Sequence, residues 1–220
     1  MNVLIFGATG MVGLGVLREC LLDPGVEQAV TIGRSATGLQ NLKLREIVQK
    51  DLSDYSGSES QLTGFDACFF CLGVSSAGMN EEKYRRLTYD LTMAAARTLV
   101  KLNPEMTFIY VSGAGTDSSE RGRSMWARVK GKTENDLMAL PFAGIYAFRP
   151  AVIQPLHGIR SKTKAYQILY SFFGWTIPLL KPVLYPKYMT TTEQIGKAML
   201  HVARQGYSKR ILENVDINAV

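Results

Sequence analysis

The chain has 220 residues, 46% of them hydrophobic and 20% charged, an ordinary balance for a globular protein and enough length to bury a full core. Three cysteines are an odd number, which argues against a disulfide framework and fits a reducing, cytoplasmic setting. The net charge of +6 is uneven, with eleven Lys and Arg but only Glu134 and Asp136 as acids between Arg121 and Lys187, and no nucleic-acid recognition motif accompanies this basic stretch.

Asn2 to Phe6 reads as a short buried strand, and Gly7-Ala8-Thr9-Gly10-Met11-Val12-Gly13 follows with no gap. An amphipathic helix then opens, with Val12, Leu14, Leu17, Leu21 and Leu22 at helical spacing. Strand, glycine-rich turn and helix in that order bind a dinucleotide pyrophosphate. Gly7 takes the tight turn, Gly10 lets the backbone approach the phosphates, and Gly13 lets the helix pack on the sheet. Because this motif opens the chain at residue 2, no room is left for a secretory signal, and a chain without one is expected. The basic stretch fits attraction for a phosphorylated cofactor.

Val26 to Ile32 reads as the second strand, Leu44 to Val48 as the third and Ala67 to Cys71 as the fourth. Cys68 and Cys71 lie on that fourth strand at a spacing that points them to opposite faces, so they read as buried thiols, not as a metal or disulfide pair. Asn80 opens a long helix with Tyr84, Leu87, Leu91, Ala95 and Leu99 on its inner face, stopped at Asn103-Pro104. Thr107 to Val111 is the fifth strand, Ser124 to Leu140 a helix, and Ala143 to Phe148 the sixth strand, ended by Arg149-Pro150. Thr190-x-x-Glu193 reads as a capping box before a last helix, and a strand near Ile211-Leu212 closes the sheet. The alternation predicts an α/β, Rossmann-type, doubly wound parallel sheet of about seven strands with helices on both faces. Residues 1–220 read as one such domain, with 150–190 as a small substrate-side insertion or lid. The uncharged aromatic stretch 165–180 within it is too short and too polar for a membrane span. It reads as an apolar substrate wall, or as a patch around 165–185 for a homodimer or a membrane surface.

The end of the second strand decides between two cofactors. An acid there would bond the ribose 2′-OH of NAD, but this chain has Gly33-Arg34-Ser35. A guanidinium and a hydroxyl favour the 2′-phosphate of NADP. Asp51-Leu52 follows the third strand, where an acid can accept from the adenine amino group. Cys71-Leu72-Gly73 ends the fourth strand, where small residues admit a ribose.

Together these residues resemble the short-chain dehydrogenase/reductase superfamily, on the side of its atypical and extended branch of NmrA-like, Tat-interacting-protein-like and small epimerase-like members. The resemblance covers essentially the whole chain. It is carried by Gly7 to Gly13, Gly33-Arg34, Asp51-Leu52, Cys71-Leu72-Gly73, Tyr110-Val111-Ser112, Trp126 to Lys130 and Phe148-Arg149-Pro150. The resemblance implies an NADP-binding oxidoreductase or epimerase-like enzyme acting on a small carbonyl compound. It assigns Gly7, Thr9, Gly10, Met11, Val12, Gly13, Arg34, Ser35, Asp51, Leu52, Cys71, Leu72, Gly73, Lys130 and Pro150 to the cofactor, and Ser112 and Lys130 to catalysis. The superfamily's chemistry uses a Tyr-x-x-x-Lys pair on one helix face, where the lysine lowers the phenol's pKa so that it can pass a proton. Here Lys130 is in place and Trp126 stands where the tyrosine belongs; indole donates a hydrogen bond but does no acid–base chemistry near neutrality. Tyr84, Tyr89, Ser112, Ser124 and His157 are the other candidate donors. The alternative is a binding protein that keeps NADP for its fold and acts through a protein partner.

Overall fold

The computed structural model describes residues 1–160 and 185–220. The chain opens with β1 (Asn2–Phe6), α1 (Met11–Leu22), β2 (Gln28–Gly33), β3 (Leu44–Val48) and β4 (Ala67–Phe70). A long helical segment follows as α2 (Glu81–Arg85), one π-turn (Arg86–Asp90) and α3 (Leu91–Leu102). Then come β5 (Thr107–Val111), α4 (Met125–Met138), β6 (Gly144–Arg149), β7 (Val152–Gln154), β8 (Met189–Thr191), α5 (Thr192–Gln205), β9 (Ile211–Glu213) and α6 (Asn214–Ala219).

Seven strands form one sheet in the order β3-β2-β1-β4-β5-β6-β9, with every pair parallel. The connections reverse direction between β1 and β4, so the loops leaving those two paired strands part and leave a crevice above Phe6 and Phe70. The strand sequences explain the burial. Val3, Leu4, Ile5 and Phe6 are all buried, because a parallel strand covered on both faces needs apolar side chains on both. One face carries Phe6, Phe70 and Phe108 in a row, with centroids 4.9 and 5.9 Å apart, and is covered by α2, α3 and α4. Each of these rings adds about 1.5–3 kcal/mol of burial. The opposite face, with Val3, Ile5, Phe69, Ile109 and Phe148, is covered by α1 and α5.

Three features depart from the pattern read in the sequence. The π-turn inserts a residue into the long helix, so Thr88 and Tyr89 are buried while Leu87 and Leu91 are only partly covered. In α1, Leu22 is 61% exposed and Val16, Leu17 and Cys20 form the inner face instead. Gly15 lies so close to Thr192 that a Cβ would sit 2.6 Å from the threonine Cβ, and this contact with α5 sets the rotation of the helix. The α5 cap is Thr191, one residue later than expected, and its side chain accepts from the Gln194 N–H at 3.0 Å.

A short parallel pair, β7 and β8, stands apart from the main sheet beside the crevice. Asn214 ties it down: its side-chain oxygen accepts from the Ala151 N–H at 3.0 Å, and its amide donates to the Met189 carbonyl at 2.9 Å. The apolar stretch expected to form a lid or a contact surface, together with most of the 150–190 segment, falls in 161–184 and lies outside the described residues.

Candidate functional site

Gly7 leaves β1 with φ +76°, and a Cβ there would meet the Cys71 backbone at 2.7 Å. Gly13 packs its backbone on the turn, where a Cβ would lie 2.2 Å from the Gly7 carbonyl oxygen. Gly10 differs from both, since the nearest protein atom to a Cβ there is the Gly7 oxygen at 3.2 Å, and its open side faces the crevice. Gly10 is also the N-cap of α1 and offers no side-chain cap, so the first N–H groups of that 12-residue helix have no intrahelical partner. Such a helix end attracts an anion.

From this turn a cleft of about 760 Å³ runs across the C-terminal edge of the sheet, within the span of about 300–1,000 Å³ usual for cofactor and ligand sites. A smaller recess of about 180 Å³ joins it through Gly7, Thr9, Arg34 and Leu72. Between them the two are lined by Gly7, Thr9, Gly10, Met11, Val12, Arg34, Ser35, Leu52, Cys71, Leu72, Gly73, Lys130 and Pro150 from the residues expected at the cofactor. Two expected residues do not line it. Gly13 serves the packing of the turn. Asp51 is exposed, and its carboxylate accepts from the Ser53 N–H at 2.8 Å and the Ser53 hydroxyl at 2.6 Å, closing a local turn. Both bonds fall on Oδ1, and Leu52 is the member of that pair that lines the recess.

Arg34 stands at the junction of the two cavities, exposed, with no hydrogen bond or ion pair among the described residues. The loop that carries it is fixed from below. Glu46 on β3 accepts from the Thr37 N–H at 2.7 Å and the Thr31 hydroxyl at 3.1 Å. Of the basic stretch, Lys162, Lys164 and Lys181 lie outside the described residues. Arg149 is buried, and Arg128 and Lys132 pair with Glu81 and Asp136, so Lys130 is the one described member of that stretch lining the cleft.

At the far end, α4 presents Trp126 and Lys130 one turn apart, both lining the cleft. This helix can approach the loop after β5 because residue 131 is glycine, where a Cβ would lie 1.8 Å from the Asp117 carbonyl. The Lys130 ammonium donates to the Ser112 carbonyl and lies 5.9 Å from the centre of the Tyr110 ring. Burial lowers its pKa from the usual lysine range to about 8, against an opposing pull from Glu134.

The Ser112 hydroxyl faces away from the cleft. It donates to the buried carboxylate of Glu134 and, at 3.3 Å, to the Phe148 carbonyl. Glu134 in turn receives two hydrogen bonds from Arg149, whose Nε is 3.0 Å from Oε1 and whose Nη2 donates to Oε2. The same guanidinium reaches Ser118 at 2.6 Å and Glu213 at 3.2 Å. Ser112, which the resemblance assigns to catalysis, lines the cleft, but its hydroxyl is engaged in this buried network while its carbonyl holds Lys130. Sequence reasoning missed this network. Its signal was Glu134 itself, an acid one turn beyond Lys130 on the inner face of a helix.

The other candidate donors are placed elsewhere. Tyr84 is in the core, Tyr89 bonds Asp136, and exposed Ser124 caps α4. His157, at φ +56°, pairs with Glu193 at 2.6 Å, and the His157 and Lys197 contacts hold Glu193 down at a pKa of about 2. None of these four lines the cleft. Cys71 does: it follows the end of β4 and is only partly buried, with its thiol pushed up to about 12 by its surroundings, whereas Cys68 is fully buried as the sequence implied and raised by burial.

No family model matches the chain. It is 28% identical over 207 residues to the protein fmp52, mitochondrial, of Emericella nidulans, covering 91% of this chain and 86% of that protein. It is 23% identical over 225 residues to the protein FMP52, mitochondrial, of Candida albicans, covering 99% and 94%. Among solved structures it resembles a UDP-N-acetylglucosamine 4-epimerase from Methanobrevibacter ruminantium, with a TM-score of 0.71 at 14% identity over 96% of this chain and 75% of the other. It also resembles the Bordetella bronchiseptica enzyme WbmF in complex with NAD⁺, with a TM-score of 0.70 at 12% identity over 99% and 76%. The fold is thus the Rossmann-like α/β fold that these structures share. The expected cytoplasmic setting is corrected by the relatives, which are named as mitochondrial proteins. Among the described residues no helix is long and apolar enough to cross a membrane.

Proposed function

We propose that this chain is a mitochondrial, nicotinamide-dependent oxidoreductase of the epimerase-like type, with NADP preferred to NAD and a small carbonyl compound as substrate. The observation that carries the reading is the continuous cleft from the open face of Gly10 to the Lys130 ammonium, at the switch point of the sheet. The chain's own groups fit the cofactor in sequence. The uncapped first turn of α1 takes the pyrophosphate, and Arg34 with Ser35 takes a 2′-phosphate. Leu52, Leu72 and Gly73 wall the adenosine side, and Lys130 and Pro150 flank the nicotinamide side. When bound, the nicotinamide supplies or accepts a hydride. Trp126 and Ile153 keep that end apolar and exclude water from it. The mitochondrial setting is carried over from the relatives' names.

The competing reading, a protein that holds NADP for structure and acts through a partner, draws on Trp126 and on the committed Ser112 hydroxyl. Incubation with NADPH and a panel of aldehydes, ketones and quinones separates the two. Loss of the reduced-nicotinamide absorbance on any member supports the enzyme. Tight NADPH binding with no oxidation across the panel supports the binding protein.

A further inference from the structure

Hydride transfer to a carbonyl leaves charge on oxygen, so a cleft that performs it needs a proton donor within reach. Among the described residues lining this cleft, most polar groups are unsuited. The Ser112 hydroxyl belongs to Glu134, and Trp126 offers only an indole N–H. Arg34 stands at the other end, where the cleft joins the smaller recess. Thr9 and Ser75 carry ordinary hydroxyls, and Cys71 is a partly buried thiol that desolvation raises to about 12. Lys130 is different in kind. Its ammonium is held by a neutral carbonyl and not by a carboxylate, because the nearest acid, Glu134, is already engaged by Arg149 and Ser112. One of its three protons is used in that bond, which leaves two for the cleft.

We infer that Lys130 is itself the proton donor of this site, taking the role that a tyrosine at position 126 would otherwise fill. The inference rests on the oxidoreductase reading above. As a hydride from the reduced nicotinamide reaches the carbonyl carbon, the C=O π pair moves to oxygen and Lys130 Nζ gives that oxygen a proton. The products are the alcohol, the oxidised nicotinamide and a neutral amine, which regains its proton from water. The surroundings suit this exchange from every side. Across the cleft stand Cys71, neutral, and Arg34 at the other end. Below lie the Tyr110 ring and the Ser112 carbonyl, and behind on α4 stands Glu134, paired with Arg149. Burial without a dedicated counter-charge brings the amine into the range where both of its forms are accessible near neutral pH.

The test pairs a titration with kinetics. In protein isotopically labelled at lysine Cε, the signal lost in Lys130→Arg is followed by NMR against pH, and NADPH binding and nitrobenzaldehyde reduction are measured in both proteins. The expected result is a Lys130 midpoint near 8. Lys130→Arg should keep NADPH binding, through its charge and its bond to Ser112, while reduction falls by about 10²–10⁴-fold. The wild-type rate should fall as pH rises through that midpoint, and the residual rate of the arginine variant should not. A Lys130 signal that titrates with the ordinary lysines overturns the inference, as does an arginine variant with the wild-type rate and pH profile; either leaves the oxidoreductase reading intact. A wild-type protein that binds NADPH but reduces no carbonyl overturns that reading and this inference with it.

Discussion

The hydroxyl of Ser112 is bonded to the carboxylate of Glu134, and this one contact turns the end of β5 around. With its side chain drawn under the sheet, Ser112 offers the cleft a carbonyl, and that carbonyl holds Lys130. The buried acid therefore positions the lysine indirectly. It is 1% exposed and balanced by an arginine that binds it through two nitrogens.

Breaking that pair should be costly. Glu134→Ala leaves the Arg149 guanidinium buried with only Ser118 and the rim acid Glu213, and the loss expected is about 3–5 kcal/mol. Urea denaturation of Glu134→Ala and of the double variant Glu134→Leu/Arg149→Met checks this. The double variant should recover much of the loss, because the uncompensated charge is gone.

The two glycines of the turn should fail in different ways. Gly10→Val has room within the protein apart from the Gly7 oxygen at 3.2 Å, so it should fold and lose the thermal shift with NADPH. Gly13→Val drives a branched side chain into a carbonyl 2.2 Å away, so it should lose several kcal/mol of stability before any ligand is added. Thermal melts with and without NADPH separate the two outcomes.

Lys130 should weaken the fold it serves. A lysine whose folded pKa is about 8 binds fewer protons when folded than when unfolded between that value and about 10.5. Stability therefore rises with pH across this window, and below pH 8 the full penalty is present. At about 1.4 kcal/mol per pH unit the window corresponds to about 3.5 kcal/mol. Lys130→Met should be at least as stable as wild type at pH 7, and the advantage should shrink toward pH 10. Denaturation midpoints of both proteins at pH 7, 8, 9 and 10 (roughly spanning the window) supply the comparison.

Much of this architecture was legible in the sequence, because parallel strands buried on both faces are written as short apolar runs. Leu44–Val48 and Thr107–Val111 fall at the residues their composition marks, and the glycine turn lies where its spacing puts it. What escaped depends on contacts between segments far apart. No local signal marks the π-turn that replaces Leu87 by Thr88 and Tyr89 on the inner face. The three-residue strands β7 and β8 are bridged by Asn214, far along the chain, which bonds both segments. The site shows the same division. Backbone-defined positions such as Gly7, Gly10 and Leu72 were found from pattern, while the orientations of Asp51, Ser112 and Glu134 are set by partners that sequence spacing does not reveal.

Calorimetric titration of wild type and Arg34→Ala with NADP⁺ and NAD⁺ tests the proposal that Arg34 takes the 2′-phosphate of NADP in the cleft. Arg34 has no partner to give up among the described residues, so a charge-assisted phosphate pair should favour NADP⁺ by at least about tenfold, or 1.4 kcal/mol. The account predicts that preference in the wild type and its loss in Arg34→Ala, with NAD⁺ affinity nearly unchanged. Equal affinities in the wild type, or a preference that survives the substitution, would contradict it.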